Sequence, residues 1–230
     1  LNQILGAHGV NRYLHIDTDS RTTEKLRIIS RNQQLLRADF EDSPRKEVID
    51  RCLSDYEELL SKVSVVVISD YGKGSLQSVG LMIQLARAQG IPVVVDPKGG
   101  DFSRYQGATV VTPNELELQE VVGQWSSSAE METKALDLVR QIKIDGLLVT
   151  RGEDGMMFFQ LESESLEEKG RSLEVYDISG AGDTVVAMVA AGIAAGFNWK
   201  EILHFSNVAA GVVVGKLGTA VATLTEIQAV

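Results

Sequence analysis

The chain has 230 residues, 44% of them hydrophobic, with 22 basic and 32 acidic residues and a net charge of −10. Its length suits one large domain, or one domain with a small appendage, and its acidic balance argues against nucleic acid, which requires a basic face. No apolar run approaches the roughly 20 residues of a membrane span, no basic-then-apolar opening marks a signal peptide, and Cys52, the one cysteine, permits neither an internal disulfide nor a thiolate metal cluster. The expectation is a cytoplasmic enzyme without nucleic-acid or membrane partners. The first residues enter mid-pattern without a Met, which suggests a piece of something longer.

In chain order, "TTEKLRIISRNQQLLRADFE" (22–41) mixes polar and apolar positions without a helical period and reads as strands of a small, half-exposed sheet. "EDSPRKE" (41–47) reads as a hinge, and "VIDRCLSDYEELL" comes next with helical spacing. From Ser64 onward, short apolar runs alternate with amphipathic segments. Strands are expected at 64–69, 92–96, 108–112 and 146–150, and helices at 76–89, from Asn114 to Gly123, and at 129–142. Valine-rich strands alternating with helices indicate a parallel sheet covered on both faces. Then "GMMFFQ" and "SLEVYD" suggest antiparallel strands around the acidic loop "LESESLEEKGR", and small-residue helices are expected at 184–195 and about 200–214. The expected division is a lid and connecting strands over 1–45 and an α/β core over 46–230.

The residues just past each strand are informative. "DYGKG", "DPKGG", "TPNELE" and "TRGEDG" succeed the runs at 64–69, 92–96, 108–112 and 146–150. In an open parallel sheet, ligands bind beyond the carboxyl ends of the strands, so these polar residues point to one edge. Singly each has a plainer use: Asp96-Pro97 can start a turn, and Asn114 with Glu117 can form a capping box.

"ISGAGDT" (178–184) opens the helix of small residues. Gly180, Ala181 and Gly182 leave backbone N–H groups uncovered where an anion could approach a helix N-terminus. Asp183 could be a first-turn acid favoured by the helix dipole, or the base that takes a proton from an attacking hydroxyl. Phosphoryl transfer needs both parts. No Walker A sequence and no strand-borne G-x-G-x-x-G occurs, and His8, His15 and His204 lack metal-site spacing.

In order and spacing, "DISGAGDT", "TPNELE" and "VTRGEDG" resemble the ribokinase-like (PfkB) carbohydrate kinases. Adding "ISDYGKGSL", "VDPKGGDFSRYQGATVVTPNELE" and "NVAAGVVVGKLGTA", the sequence is similar to the kinase domains of bacterial heptose 7-phosphate kinases, often fused to a heptose 1-phosphate adenylyltransferase. The resemblance implies a three-layer α/β/α sandwich with a mostly parallel sheet and a small β lid, its N-terminal part not in this sequence. The implied reaction is ATP-dependent phosphorylation of D-glycero-β-D-manno-heptose 7-phosphate at C1, for ADP-heptose and lipopolysaccharide core synthesis. Another sugar or nucleoside kinase of the same fold, or an inactive nucleotide-binding fragment, are the alternatives.

By resemblance, Asp183 is the catalytic base and the amides of Gly180, Ala181 and Gly182 form the anion hole. Asn114 and Glu117 organise Mg²⁺ through waters, Thr150 and Gly152 lie near the nucleotide phosphates, and Asn207 and "GKLGT" (215–219) border the adenine. Asp177 matches a monovalent-cation (K⁺) site of some relatives. Lys98 is a candidate for ATP phosphate or the 7-phosphate. Asp70, Lys73, Arg27, Arg31 and Asn32 are candidate contacts to the sugar phosphate, with Arg27, Arg31 and Asn32 alternatively holding a lid-to-lid homodimer.

Overall fold

The computed structural model describes residues 2–30, 33–170 and 175–229, grouped in two compact units. Arg31 and Asn32 lie outside the described residues.

The first unit comprises residues 1–61 and 72–78. It holds helix α1 (Asn2–Ala7), strands β1 (Glu24–Ser30) and β2 (Gln33–Phe40), and helix α2 (Lys46–Leu60). Residues 46–61 and 72–78, expected with the core, thus group with the lid strands. β1 and β2 pair antiparallel in a two-stranded sheet, with a register irregularity between Ile28 and Ile29. Directly paired residues share a face: Glu24 with Phe40, Leu26 with Ala38 and Ile28 with Leu36 form one side, Lys25 with Asp39 and Arg27 with Arg37 the other. The hairpin is therefore amphipathic, and Leu26, Ile28, Leu36 and Phe40 on its apolar side are 43–54% exposed. On the charged side Arg37 binds Asp39 through two bonds of 2.8 and 2.7 Å, offsetting the juxtaposition of two like charges.

The second unit comprises residues 62–71 and 79–230. Its six-stranded sheet runs in chain order, β3 (Val66–Ser69), β4 (Val93–Asp96), β5 (Val110–Val111), β6 (Gly146–Thr150), β7 (Met156–Phe159) and β8 (Leu166–Glu168). The first four are parallel and the last two antiparallel. Val94, Val110 and Leu148 face helices α6 (Ala181–Ala195) and α7 (Trp199–Val214), packing on Val185, Val189, Ile202 and Leu203. Alternation along a strand turns Val93, Val95, Val111, Leu147 and Val149 to the other side, where helices α3 (Val79–Ala88), α4 (Glu115–Val122) and α5 (Ser128–Ile142) contact the strands. All these valines and leucines of the sheet are at most 1% exposed, as a sheet covered on both faces requires. A short helix α8 (Leu224–Gln228) ends the described fold.

Two expectations change. β5 spans 110–111, within the expected 108–112. The partner of β7 is β8, inside the expected acidic loop, and not the "SLEVYD" segment. Leu166–Glu168 comes after β7 by a short connection and claims its free edge, while the N–H groups of Tyr176 and Asp177 bond to the Val214 carbonyl at 2.8 and 3.3 Å. Residues 172–174 of that segment are outside the described residues.

Candidate active site

The carboxyl ends of β3 to β6 carry Asp70, Asp96, Asn114 and Thr150, and backbone bonds bring their ends into register. Asp70 N–H donates to the Asp96 carbonyl at 2.9 Å, and Thr150 N–H to the Pro113 carbonyl at 3.0 Å. Asn114 and Thr150 form a parallel bridge.

Asn114 caps α4. Its side chain accepts from Glu117 N–H at 2.9 Å, and the Glu117 carboxylate accepts from Asn114 N–H at 3.1 Å. The plain reading of the pair as a capping box is realised. The other Glu117 oxygen receives the Lys98 ammonium at 2.8 Å, and that bond, with the Glu117 charge, raises the Lys98 pKa. Lys98 keeps a half-exposed side chain while Glu117 is 14% exposed, so the ammonium is the open end of the pair.

Asp96 opens the post-strand segment "DPKGG", with a turn start as its plainer use. Its carboxyl is pushed up to about 6, first by burial and then by the negative charges of Asp183 and Glu117, against the bond from Ser69 Oγ at 3.2 Å and the Lys98 charge. The charges of Glu117 and Asp183, from α4 and α6, therefore reach Asp96 at the end of β4, with Lys98 as the cation among them. Among the described residues no three His, Cys, Asp or Glu side chains gather as a metal-binding group. The Asp183 and Glu117 carboxylates are oxygen donors of the kind that Mg²⁺ takes beside waters and phosphate oxygens.

Asp183 stands exposed in the first turn of α6, and the Tyr71 hydroxyl donates to its Oδ1 at 3.5 Å. The turn before it depends on Gly180, which caps the helix at φ +83° with no side-chain cap. A Cβ there would be strained by the backbone and would meet Thr219 Cγ2 at 3.4 Å. A Cβ on Gly182 would meet nothing within 4 Å, so the space over this turn is open. Ala181 N–H bonds back to the Ile178 carbonyl and Thr184 N–H to that of Gly180. The intervening N–H groups of Gly182 and Asp183 have no acceptor among the described residues, the condition for an anion site at a helix start.

Asp177 links this turn to the 215–219 loop. Its carboxylate accepts from Ser179 N–H at 2.9 Å and from Gly218 N–H at 3.2 Å, and bonding to Ser179 and then Gly218 lowers its pKa. Gly152 begins a short 3₁₀ turn at φ +58° with open space beside it. Asn207 is buried, its amide donating to the Lys169 carbonyl at 2.7 Å, so that amide is engaged within the fold.

Asp70 is also interior, only 4% exposed. It accepts the Tyr105 hydroxyl at 2.9 Å and faces Arg104 at 3.4 Å, an environment that leaves little carboxylate surface for a sugar. Lys73 pairs with Glu41, and Arg27 lies on the charged side of the hairpin; both belong to the first unit. Thus Lys98, Asn114, Glu117 and Asp183 are brought to one edge together with Asp96 and Tyr71. The last two lie in the segments that follow strands, "DPKGG" and "DYGKG", and that position was the available signal.

Known proteins bear on this geometry. The chain is 44% identical over 228 residues to the bifunctional protein HldE of Coxiella burnetii, covering 99% of this chain and 48% of that protein. It is 46% identical over 225 residues to bifunctional protein HldE of Pseudomonas aeruginosa, covering 97% and 47%. The chain thus spans about half the length of these curated relatives. Its fold resembles phosphofructokinase-2 from Escherichia coli, solved in complex with potassium, at a TM-score of 0.82 and 19% identity over 99% of this chain and 75% of that one. It likewise resembles Arabidopsis thaliana ribokinase complexed with ribose and ATP, at 0.76 and 17% over 94% and 72%. The fold is therefore the ribokinase-like α/β sandwich. The profile of the pfkB family carbohydrate kinases matches residues 1–226, and the chain belongs to that family.

Proposed function

We propose that this chain is the kinase part of a bifunctional protein and transfers the γ-phosphoryl group of ATP to the C1 hydroxyl of D-glycero-β-D-manno-heptose 7-phosphate. The products are heptose 1,7-bisphosphate and ADP, in the cytoplasmic route to ADP-heptose. The observation that carries the reading is the bare first turn of α6, with two unengaged N–H groups beside an exposed carboxylate, together with 42–46% identity over nearly the whole chain to proteins named HldE.

Asp183 accepts the proton of the acceptor hydroxyl as its oxygen forms a bond to phosphorus and the bond to the ADP oxygen breaks. The N–H groups of Gly182 and Asp183 hold the oxygens of the group in transit, where preorganised dipoles act without reorganisation. Lys98 binds phosphate oxygen, and Glu117 with Asn114 orders the waters around a metal. Mg²⁺, when bound, neutralises phosphate charge. Thr150 and Gly152 lie beside the nucleotide phosphates, and residues 215–219 with Asn207 shape the end that receives the base. Asp177 offers a carboxylate to a monovalent cation such as K⁺. The exposed apolar side of the hairpin is the face through which two copies pair, since a lone two-stranded sheet is marginal in water and contiguous exposed apolar surface marks an interaction site.

A coupled assay of ADP release tests the substrate. Heptose 7-phosphate should turn over with a kcat/KM at least about tenfold above fructose 6-phosphate or ribose, the discrimination available from a few contacts. A preference for either comparator would overturn the assignment.

A further inference from the structure

Asp70 stood out in the sequence as a polar residue at a strand end, yet it is almost wholly enclosed. Its carboxylate ends a chain of bonds through the Tyr105 hydroxyl, which also lies 3.3 Å from the Lys98 carbonyl. Lys98 N–H donates to the Tyr105 hydroxyl oxygen at 3.1 Å, and that hydroxyl donates to Asp70 Oδ2 at 2.9 Å. Arg104 Nη2 lies 3.4 Å from the same oxygen. Tyr105 is 0% exposed, and burial, with its bonding to Asp70, pushes its pKa up to about 12, so the hydroxyl remains a donor. Asp70 is itself fixed to the end of β4 through the Asp96 carbonyl.

We infer that Asp70 and Tyr105 are positioning residues for Lys98, a buried brace that fixes the backbone from which the ammonium reaches the phosphate-binding edge. The inference rests on the proposed role of Lys98 in holding phosphate. The residues 97–101 that carry Lys98 form no helix or strand. A segment of that kind holds a charge in place only if its backbone is tied down elsewhere, and preorganised groups bind better than groups ordered by the ligand. Here the tie is made at Lys98 itself, by a hydroxyl whose own orientation is set by a buried anion. Charged partners strengthen such bonds, and losing the Tyr105 hydroxyl removes the acceptor of the Lys98 N–H while Asp70 keeps Arg104.

A double-mutant cycle on MgATP binding, measured by calorimetry, separates a brace acting through Lys98 from general structural support. Tyr105→Phe should weaken MgATP roughly 3- to 30-fold when Lys98 is present, within the range of coupling in one hydrogen-bond network. In a Lys98→Met background the same change should have an effect of less than about twofold. Equal losses in both backgrounds, or none in either, would overturn the inference. Amide hydrogen exchange on the unaltered protein provides a reading independent of variant folding and of nucleotide. Lys98 N–H should exchange at least about tenfold more slowly than the Gly99 and Gly100 amides beside it; exchange as fast as theirs overturns the brace. Failure of the unaltered protein to bind MgATP would count against the proposed function, and the exchange result would then decide the brace alone.

Discussion

Asp96 ends β4 with a carboxyl held at about 6 by burial and by two neighbouring carboxylates. A pKa raised above the ordinary 3.8 means that the folded protein binds a proton which the unfolded chain releases. The associated stability is fully present below about pH 3.8 and is lost as pH rises through about 6. Asp96→Asn, which cannot ionise, should therefore be more stable than the parent at pH 7, with the advantage fading toward pH 4. Urea midpoints across that range provide the measurement; a constant difference would remove Asp96 from the electrostatics of the edge. The sequence put this residue at the strand-end edge but could not disclose its raised pKa. Asp-Pro has a sufficient local use in a turn, and the field at Asp96 comes from Glu117 and Asp183, which only the folded sheet brings near. Asp70 illustrates the reverse. Its place after a strand suggested substrate contact, but Tyr105 and Arg104, more than thirty residues away, enclose it.

At the scale of elements, α4 and α6 begin differently, and the proposed function assigns the two starts different roles. α4 starts on a reciprocal capping box whose acceptor side chains satisfy the N–H groups of Asn114 and Glu117. α6 starts on a left-handed glycine with no side-chain cap. Asn114→Ala should destabilise the protein by about 1 kcal/mol. Asn114→Ser should recover most of that loss, yet bind MgATP less tightly if the amide also orders the metal's waters. Denaturation midpoints and calorimetry of the two variants check this, and unchanged affinity in the Ser variant would confine Asn114 to capping. Most of these elements were legible because local chemistry and burial agree: the valine runs of β4 and β6, the N-x-x-E start of α4, and Gly196 after α6. β8 was not, because "LEE" has the composition of a loop and becomes a strand by completing the edge of β7. α1 gave no signal above its surroundings, and none of its residues is buried.

At the scale of the whole molecule, the proposed function assigns different ends to the hairpin's exposed apolar side and to the sheet edge. Leu36→Asp would place a charge in the middle of the face bearing Leu26, Ile28 and Phe40, and should turn a homodimer into a monomer. Light scattering coupled to size exclusion measures this; an unchanged mass would exclude the face as the contact between copies. The central claim concerns the other feature: a bare helix start holds the migrating phosphoryl group while the adjacent carboxylate takes the proton. Turnover and MgATP affinity of Asp183→Asn, with heptose 7-phosphate as acceptor, test it most directly. The account predicts that kcat falls about 10²- to 10⁴-fold while the MgATP dissociation constant stays within about threefold. Turnover close to that of the parent would contradict it.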